Sequence, residues 1–207
     1  MQNNNRYSKY VALVALLISI VGVTLGFAAY SNTVQIKASA DVAAPGAQYP
    51  GQLSVDPDEQ QDGTVTPTVD GATADQATLT DNEIRNIKVH FTAPDQSAEY
   101  AFYAVNPTTF TSYLNSVVFG TKSCSASLTD PNPATQYSDA CEDINMRIFV
   151  DSNEYTASDT DIDGISIAGE TSVPVLVIIE YIPGGRVADG AFDVDFGTSS
   201  ITFSTVD

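Results

Sequence analysis

The chain has 207 residues, with 26 acidic side chains against eight basic ones, a net charge of −18 and a single histidine. A surface this acidic repels nucleic acid and anionic lipid, which excludes nucleic-acid partners. Two cysteines and one histidine cannot complete a zinc site of thiolates and imidazoles.

Val11 to Ala29 reads VALVALLISIVGVTLGFAA, nineteen residues without a charge, preceded by Arg6 and Lys9. As a helix this run spans roughly 28 Å, close to the ~30 Å hydrocarbon core of a bilayer. Basic residues, an apolar run and then small residues also make a secretory signal. Gly26-Phe27-Ala28 is a small-x-Ala site, which places the cut between Ala28 and Ala29. Upstream basic residues keep the N-terminus inside and send the remainder of the chain outward. Two readings stand side by side: a cleaved signal peptide over residues 1–28, or a retained transmembrane helix that holds the chain in the membrane through residues 11–29. In both, residues 29–207 form one extracytoplasmic domain, secreted or anchored at the cell surface, and long enough to bury a real core.

Tyr30 to Val42 alternates, with Val34, Ile36, Ala38 and Ala40 on one face and Gln35, Lys37, Ser39 and Asp41 on the other. That is the period of a β-strand, directly after the cleavage point. A Pro- and Gly-rich loop comes next, then a short strand at Gln52 to Val55 and an acidic turn over Asp56 to Gly63. Thr64 to Gln76 has no apolar period and reads as an exposed loop. Ile87, Val89 and Phe91 alternate, Pro94 to Ser97 is turn chemistry, and Ala98 to Val105 reads as the second arm of a hairpin. Tyr113 to Phe119 is a further strand, and Lys122 to Asp139 reads as a loop. Ile144 to Val150 alternates again. Val173 to Ile182 is nearly all apolar, as a central strand buried on both faces is, with Pro174 near its start. Phe192 to Phe196 and Ile201 to Phe203 read as a closing hairpin. Eight or nine strands with frequent turn signals predict an all-β fold, an antiparallel β-sandwich preceded by the N-terminal hydrophobic helix. A β-rich fold with a small helix near Thr108 to Leu114 is the alternative.

Cys124 and Cys141 lie seventeen positions apart in an exported domain, and a disulfide is the expectation. Closing a loop of that size stabilises by roughly 3 kcal/mol in the chain-entropy picture. Motifs for catalysis are missing: there is no G-x-S-x-G, no H-E-x-x-H and no phosphate loop, so the chain reads as non-enzymatic. His90 falls on the polar face of its strand and reads as a surface or edge histidine. Asp159, Asp161, Asp163, Gly164 and Glu170 fit the spacing of a calcium loop, with alternate carboxylates turned inward and Glu170 closing the site. Against that, Ile165 to Ile167 look like the start of a strand that carries Glu170 away. Ca²⁺ is therefore the one cofactor in view, with a plain acidic turn as the alternative.

Several stretches resemble the TasA/camelysin family of exported proteins. GFAAYSNT is similar to the family's processing region and runs straight into the strand VQIKASADV. AGETSVPVLVIIEY, from Ala168 to Tyr181, is similar to the family's Gly-Glu-Ser/Thr turn and long apolar strand, and FDVDFGTSSITFST resembles its closing strands. The resemblance implies a jelly-roll-like sandwich, secreted and cut near Ala28/Ala29, which self-associates into extracellular fibres of a biofilm matrix. In some relatives the freed N-terminal strand completes the sheet of the next subunit. Here residues 29–42 would be that donor, with Val34, Ile36, Ala38 and Ala40 filling a neighbour's groove; pairing within its own domain is the alternative. The leading expectation is a secreted structural protein that forms or decorates filaments. Behind it stand a camelysin-type cell-surface metallopeptidase, for which no zinc ligands are recognisable, and a membrane-anchored calcium-binding surface module.

Overall fold

The longest apolar stretch of the described residues becomes the centre of the fold. In the computed structural model, which describes residues 51–205, sixteen strands and one short helix are seen. In chain order they are β1 (Gln52–Ser54), β2 (Gly63–Val65), β3 (Thr68–Asp70), β4 (Thr73–Ala74), β5 (Ala77–Thr80), β6 (Glu83–Arg85), β7 (Lys88–Phe91), β8 (Gln96–Asn106), β9 (Ser112–Val118) and β10 (Ser123–Ala126). Helix α1 (Ser138–Glu142) is next, and then β11 (Ile144–Val150), β12 (Asn153–Tyr155), β13 (Ser166–Ile167), β14 (Thr171–Tyr181), β15 (Phe192–Asp195) and β16 (Thr198–Ser204). The named strands pair antiparallel throughout, in a sandwich-like arrangement.

The first layer has the order β1-β8-β14-β11-β12, and β3 shares the outer edge of β8 with β1. Along its whole length β14 pairs with β8, from Thr171 opposite Asn106 to Tyr181 opposite Gln96. Its other edge pairs with all of β11. Val175, Val177, Ile179 and Tyr181 point into the core and are buried, while Leu176, Ile178 and Glu180 alternate with them and stay half-exposed. The central position of this strand is as expected. Burial on both faces is corrected: only one face is sealed, so alternation persists beneath an apolar composition.

In the second layer three chain segments lie side by side and each is broken once at the same level. On one side of the break β9, β16 and β6 pair, and on the other β10, β15 and β7 pair. Asn86 (φ 62°) and Gly197 (φ 61°) turn their strands at this crease with left-handed backbone. The Phe196 N–H donates to the Ile87 carbonyl at 3.0 Å, and the Gly120 N–H donates to Ser199 Oγ at 2.9 Å. Gly120 sits so close that a Cβ there would lie 1.7 Å from the Phe196 carbonyl oxygen. At one end the layers meet through aromatic rings. Tyr181 of the first layer meets Phe91 and Phe192 of the second edge-to-face, at 5.8 Å and 5.7 Å between centroids.

Four further sequence expectations are corrected. β7 and β8 form no hairpin: the turn at Asp95 (φ 67°) carries the chain from one layer to the other, and β7 pairs with β15 and β4 instead. β15 and β16 are likewise one broken segment and not a closing hairpin. Thr64 to Gln76 is no loop, since β2, β3 and β4 lie there. Their backbones are paired while their side chains are mostly exposed, which leaves no apolar period to read. Lys122 to Asp139 includes the edge strand β10 and the start of α1, and Ser112 begins β9 where a helix was the alternative. Residues 1–28, with the hydrophobic helix and the Ala28/Ala29 cut, and the strand carrying Val34, Ile36, Ala38 and Ala40, lie outside the described residues. Among the described residues no helix is long and apolar enough to cross a membrane.

The crease makes a direct prediction. Gly120→Ala drives a methyl group into backbone, which cannot yield as a side chain would, and should cost at least about 1–3 kcal/mol, the usual range for overpacking. Urea unfolding of the two proteins side by side measures it; an unchanged midpoint would show that the three strands are not held together there.

Candidate functional site

Strand β11 is half covered on its outer edge. The Asp143 carbonyl accepts from the Ile182 N–H and the Asp151 N–H donates to the Pro174 carbonyl, both at 3.1 Å, so the odd-numbered residues between them turn their backbone groups toward β14. The even-numbered residues Ile144, Met146, Ile148 and Val150 therefore turn theirs outward. β12 pairs only with Ile148, Phe149 and Val150. Among the described residues no strand lies beside residues 144–147 on that side. The Ile144 carbonyl is taken by Lys122 Nζ at 2.8 Å. The N–H and C=O of Met146 face the gap.

Across the gap stands the crease of the second layer. Phe119, Gly120 and Phe196 line its side of a cavity of about 350 Å³, Ile144 and Met146 line the other, and Lys122 and Arg147 stand on the rim. Arg147 bonds Glu180 at 3.0 Å and Glu154 at 3.4 Å, yet its Nε is buried with no partner. An open backbone edge beside an apolar trough is the geometry that takes up an extended segment.

Two laces bound this opening. At one end residues 153–162 cross from β11 to β9: the N–H and C=O of Asp159 both bond Val117 at 2.8 Å, and Ser158 Oγ accepts from the Phe119 N–H at 3.0 Å. At the other end Cys124 and Cys141 are joined, with their Cα atoms 6.2 Å apart, inside the usual span for a disulfide.

The aspartates proposed for calcium belong to the first lace. The Asp159 carboxylate accepts from the Asp161 N–H at 3.2 Å, and Gly164 (φ 84°) turns the chain. β13 then pairs with β9, and Glu170 comes after it, held by its N–H at the Thr108 carbonyl at 2.7 Å. Among the described residues no three of His, Cys, Asp and Glu gather so as to hold a metal ion, so Asp159, Asp161, Asp163 and Glu170 are not brought together. The intervening strand is the reason, since it spends on pairing with β9 the residues that a calcium loop needs for its return.

A cluster that the sequence did not single out surrounds His90, which is half-buried and not merely superficial. Its Nδ1 lies 3.0 Å from Asp193 and its Nε2 lies 3.5 Å from Asp130, while Lys88 Nζ is 3.1 Å from the other Asp193 oxygen. Burial pushes the Asp193 carboxyl up, but hydrogen bonds from His90, Lys88 and Ser127 outweigh it and hold it low. The Asp193 hydrogen bond in turn raises the Lys88 ammonium. The cluster ties β7, β15 and the loop after β10 together. Register alone brings His90 opposite Asp193, 103 positions away, and no local motif announces that.

No protein-family model matches the chain, and no curated protein matches it significantly.

Acid should release these locks in order. Arg186 hydrogen bonds hold the Asp143 carboxyl down to about 2, and the Thr135 hydroxyl and nearby backbone amides hold Asp189 low. A carboxyl depressed below its unfolded value of about 3.9 stabilises the fold above that pH, and the gain disappears as pH falls toward the folded value. The melting temperature should hold steady from pH 7 to about 4 and then fall between about 4 and 2. Arg186→Met should flatten the lowest part of that fall, because Asp143 then titrates as an ordinary carboxyl. A decline that starts above pH 5 would point to other groups.

Proposed function

We propose that this protein is a secreted, non-enzymatic structural protein whose subunits join into extracellular filaments by strand donation. The observation that supports the reading is the outer edge of β11 at residues 144–147, which no strand among the described residues covers, beside the trough lined by Phe119, Met146 and Phe196. The donor is residues 29–42, released when the chain is cut between Ala28 and Ala29. Val34, Ile36, Ala38 and Ala40 enter the trough of the next subunit while the donor backbone pairs with Met146. Each buried Val or Ile contributes about 1.5–3 kcal/mol and each backbone hydrogen bond about 0.5–1.5 kcal/mol net, enough to offset the ordering of a short strand. The adjacency of β8 and β14, with the crease segments running β9/β10, β16/β15 and β6/β7, fits a jelly-roll-like sandwich that is short of one strand among the described residues. An uncut chain would stay at the cell surface through residues 11–29 and keep its donor tethered.

Donor and acceptor can be broken separately. Val34→Asp with Ile36→Asp removes the donor and leaves the trough. Met146→Pro removes the N–H that faces the gap without touching the bonds to β14. Neither protein alone should form fibres under the electron microscope. Mixed, they should pair one to one and stop, since only one donor and one acceptor remain intact. Fibres from either variant alone, or no pairing in the mixture, would sink the mechanism.

A further inference from the structure

The open edge of β11 and the crease opposite it belong to different layers, so the width of the groove depends on what ties the layers together at that side. At the β9 end the tie is backbone hydrogen bonding through Asp159. At the β10 end it is made by side chains. Lys122 Nζ reaches the carbonyls of Cys141 and Ile144 at 2.7 Å and 2.8 Å. Cys124 on β10 is bonded to Cys141 in α1, just before β11 begins. Apart from that bond each element is held by few contacts. Among the described residues β10 pairs with β15 alone, and α1 is five residues long, has no side-chain cap and buries only Ala140. The Tyr137 ring stacks on Phe192 at the start of α1, and Arg186 bonds Glu142 and Asp143 at its end. Arg186 lies just past β14 and so ties α1 to the first layer. The tie from α1 to the second layer rests on the Tyr137–Phe192 stack at its start and on the disulfide and Lys122 at Cys141.

We propose that the Cys124–Cys141 bond sets the groove, and that β11 accepts a strand only in the oxidised chain. The inference rests on the strand-donation reading and adds its control. In a reducing compartment the two thiols stay apart, β10 moves relative to the β11 edge that β14 holds, and subunits remain single even where a donor is free. In the export compartment a disulfide oxidant closes the site: two cysteine thiols and one R–S–S–R give the protein disulfide and two R–SH, with both protons passing to the leaving thiols. Assembly is thereby confined to the outside of the cell.

The test uses the chain as recovered from the medium. Fibre growth is measured for the oxidised protein, for protein reduced with a phosphine, and for reduced protein reoxidised with glutathione disulfide. Reduction should slow growth at least tenfold and reoxidation should restore it, with the sheet signal in circular dichroism unchanged. Lys122→Met should slow growth several-fold with the disulfide intact. Cys124→Ser with Cys141→Ser should behave as the reduced chain. It still carries a donor strand, so added to the natural protein it should end fibres and shorten them. Equal growth in both redox states overturns this proposal alone. Loss of the sheet signal on reduction overturns it too, because the bond would then hold the fold and not the groove. No fibres from the oxidised chain would overturn the filament reading and this control with it.

Discussion

The hydrogen bonding of β14 along both of its edges is the constraint that orders the whole fold. Eleven residues pair with β8 and seven of them pair also with β11. Once both edges are used, every second side chain is committed to the core. Tyr181 at its end then meets Phe91 and Phe192 of the other layer, and its hydroxyl donates to the Arg186 carbonyl. One strand thus sets the first layer, its inner face and the point where the second layer docks. It also decides where further strands can add, because only the outer edges of β8 and β11 are left for them.

Those two edges are treated differently. The edge of β8 is covered by β1 over Tyr103 to Val105 and by β3 over Ser97 to Glu99. Short paired strands of this kind blunt an edge that would otherwise recruit other chains. On β11 the cover stops at Ile148. What remains open among the described residues is brief, flanked by Lys122 and Arg147, and closed at one end by the chain crossing to β9 and at the other by the disulfide. A short bounded opening selects one strand of matching length, whereas a long flat edge takes any.

The sequence showed strands best where a side-chain period and burial coincide. β7, β11 and β14 were legible because their alternate residues are buried, and β14 was legible as central because its outward residues Leu176 and Ile178 are apolar as well. β2, β3 and β4 were hidden because pairing alone holds them, and backbone hydrogen bonds leave no mark on side-chain choice. The two supposed hairpins misled for one reason. Turn residues at Pro94-Asp95 and at Gly197 say that the chain bends, but not whether it returns to its own sheet or passes on. Of the site, the disulfide was readable from two cysteines in a chain whose sequence predicts export. The groove was not, because it is defined by where β12 ends. The aspartate spacing looked like a calcium loop because it is a real turn, yet the pairing of Ser166 with Tyr113 assigns its second half to a sheet.

Amide hydrogen exchange at Met146 tests the central claim most directly. In the single subunit its N–H faces the gap with no strand beside it among the described residues, and it should exchange faster than the β14 amides around it. In the assembled fibre it should be protected at least a hundredfold, at the same rate at which fibres appear. Protection already present in the single subunit would mean that the edge is filled from within the chain. No protection in the fibre would mean that subunits meet elsewhere, and either result contradicts strand donation to β11.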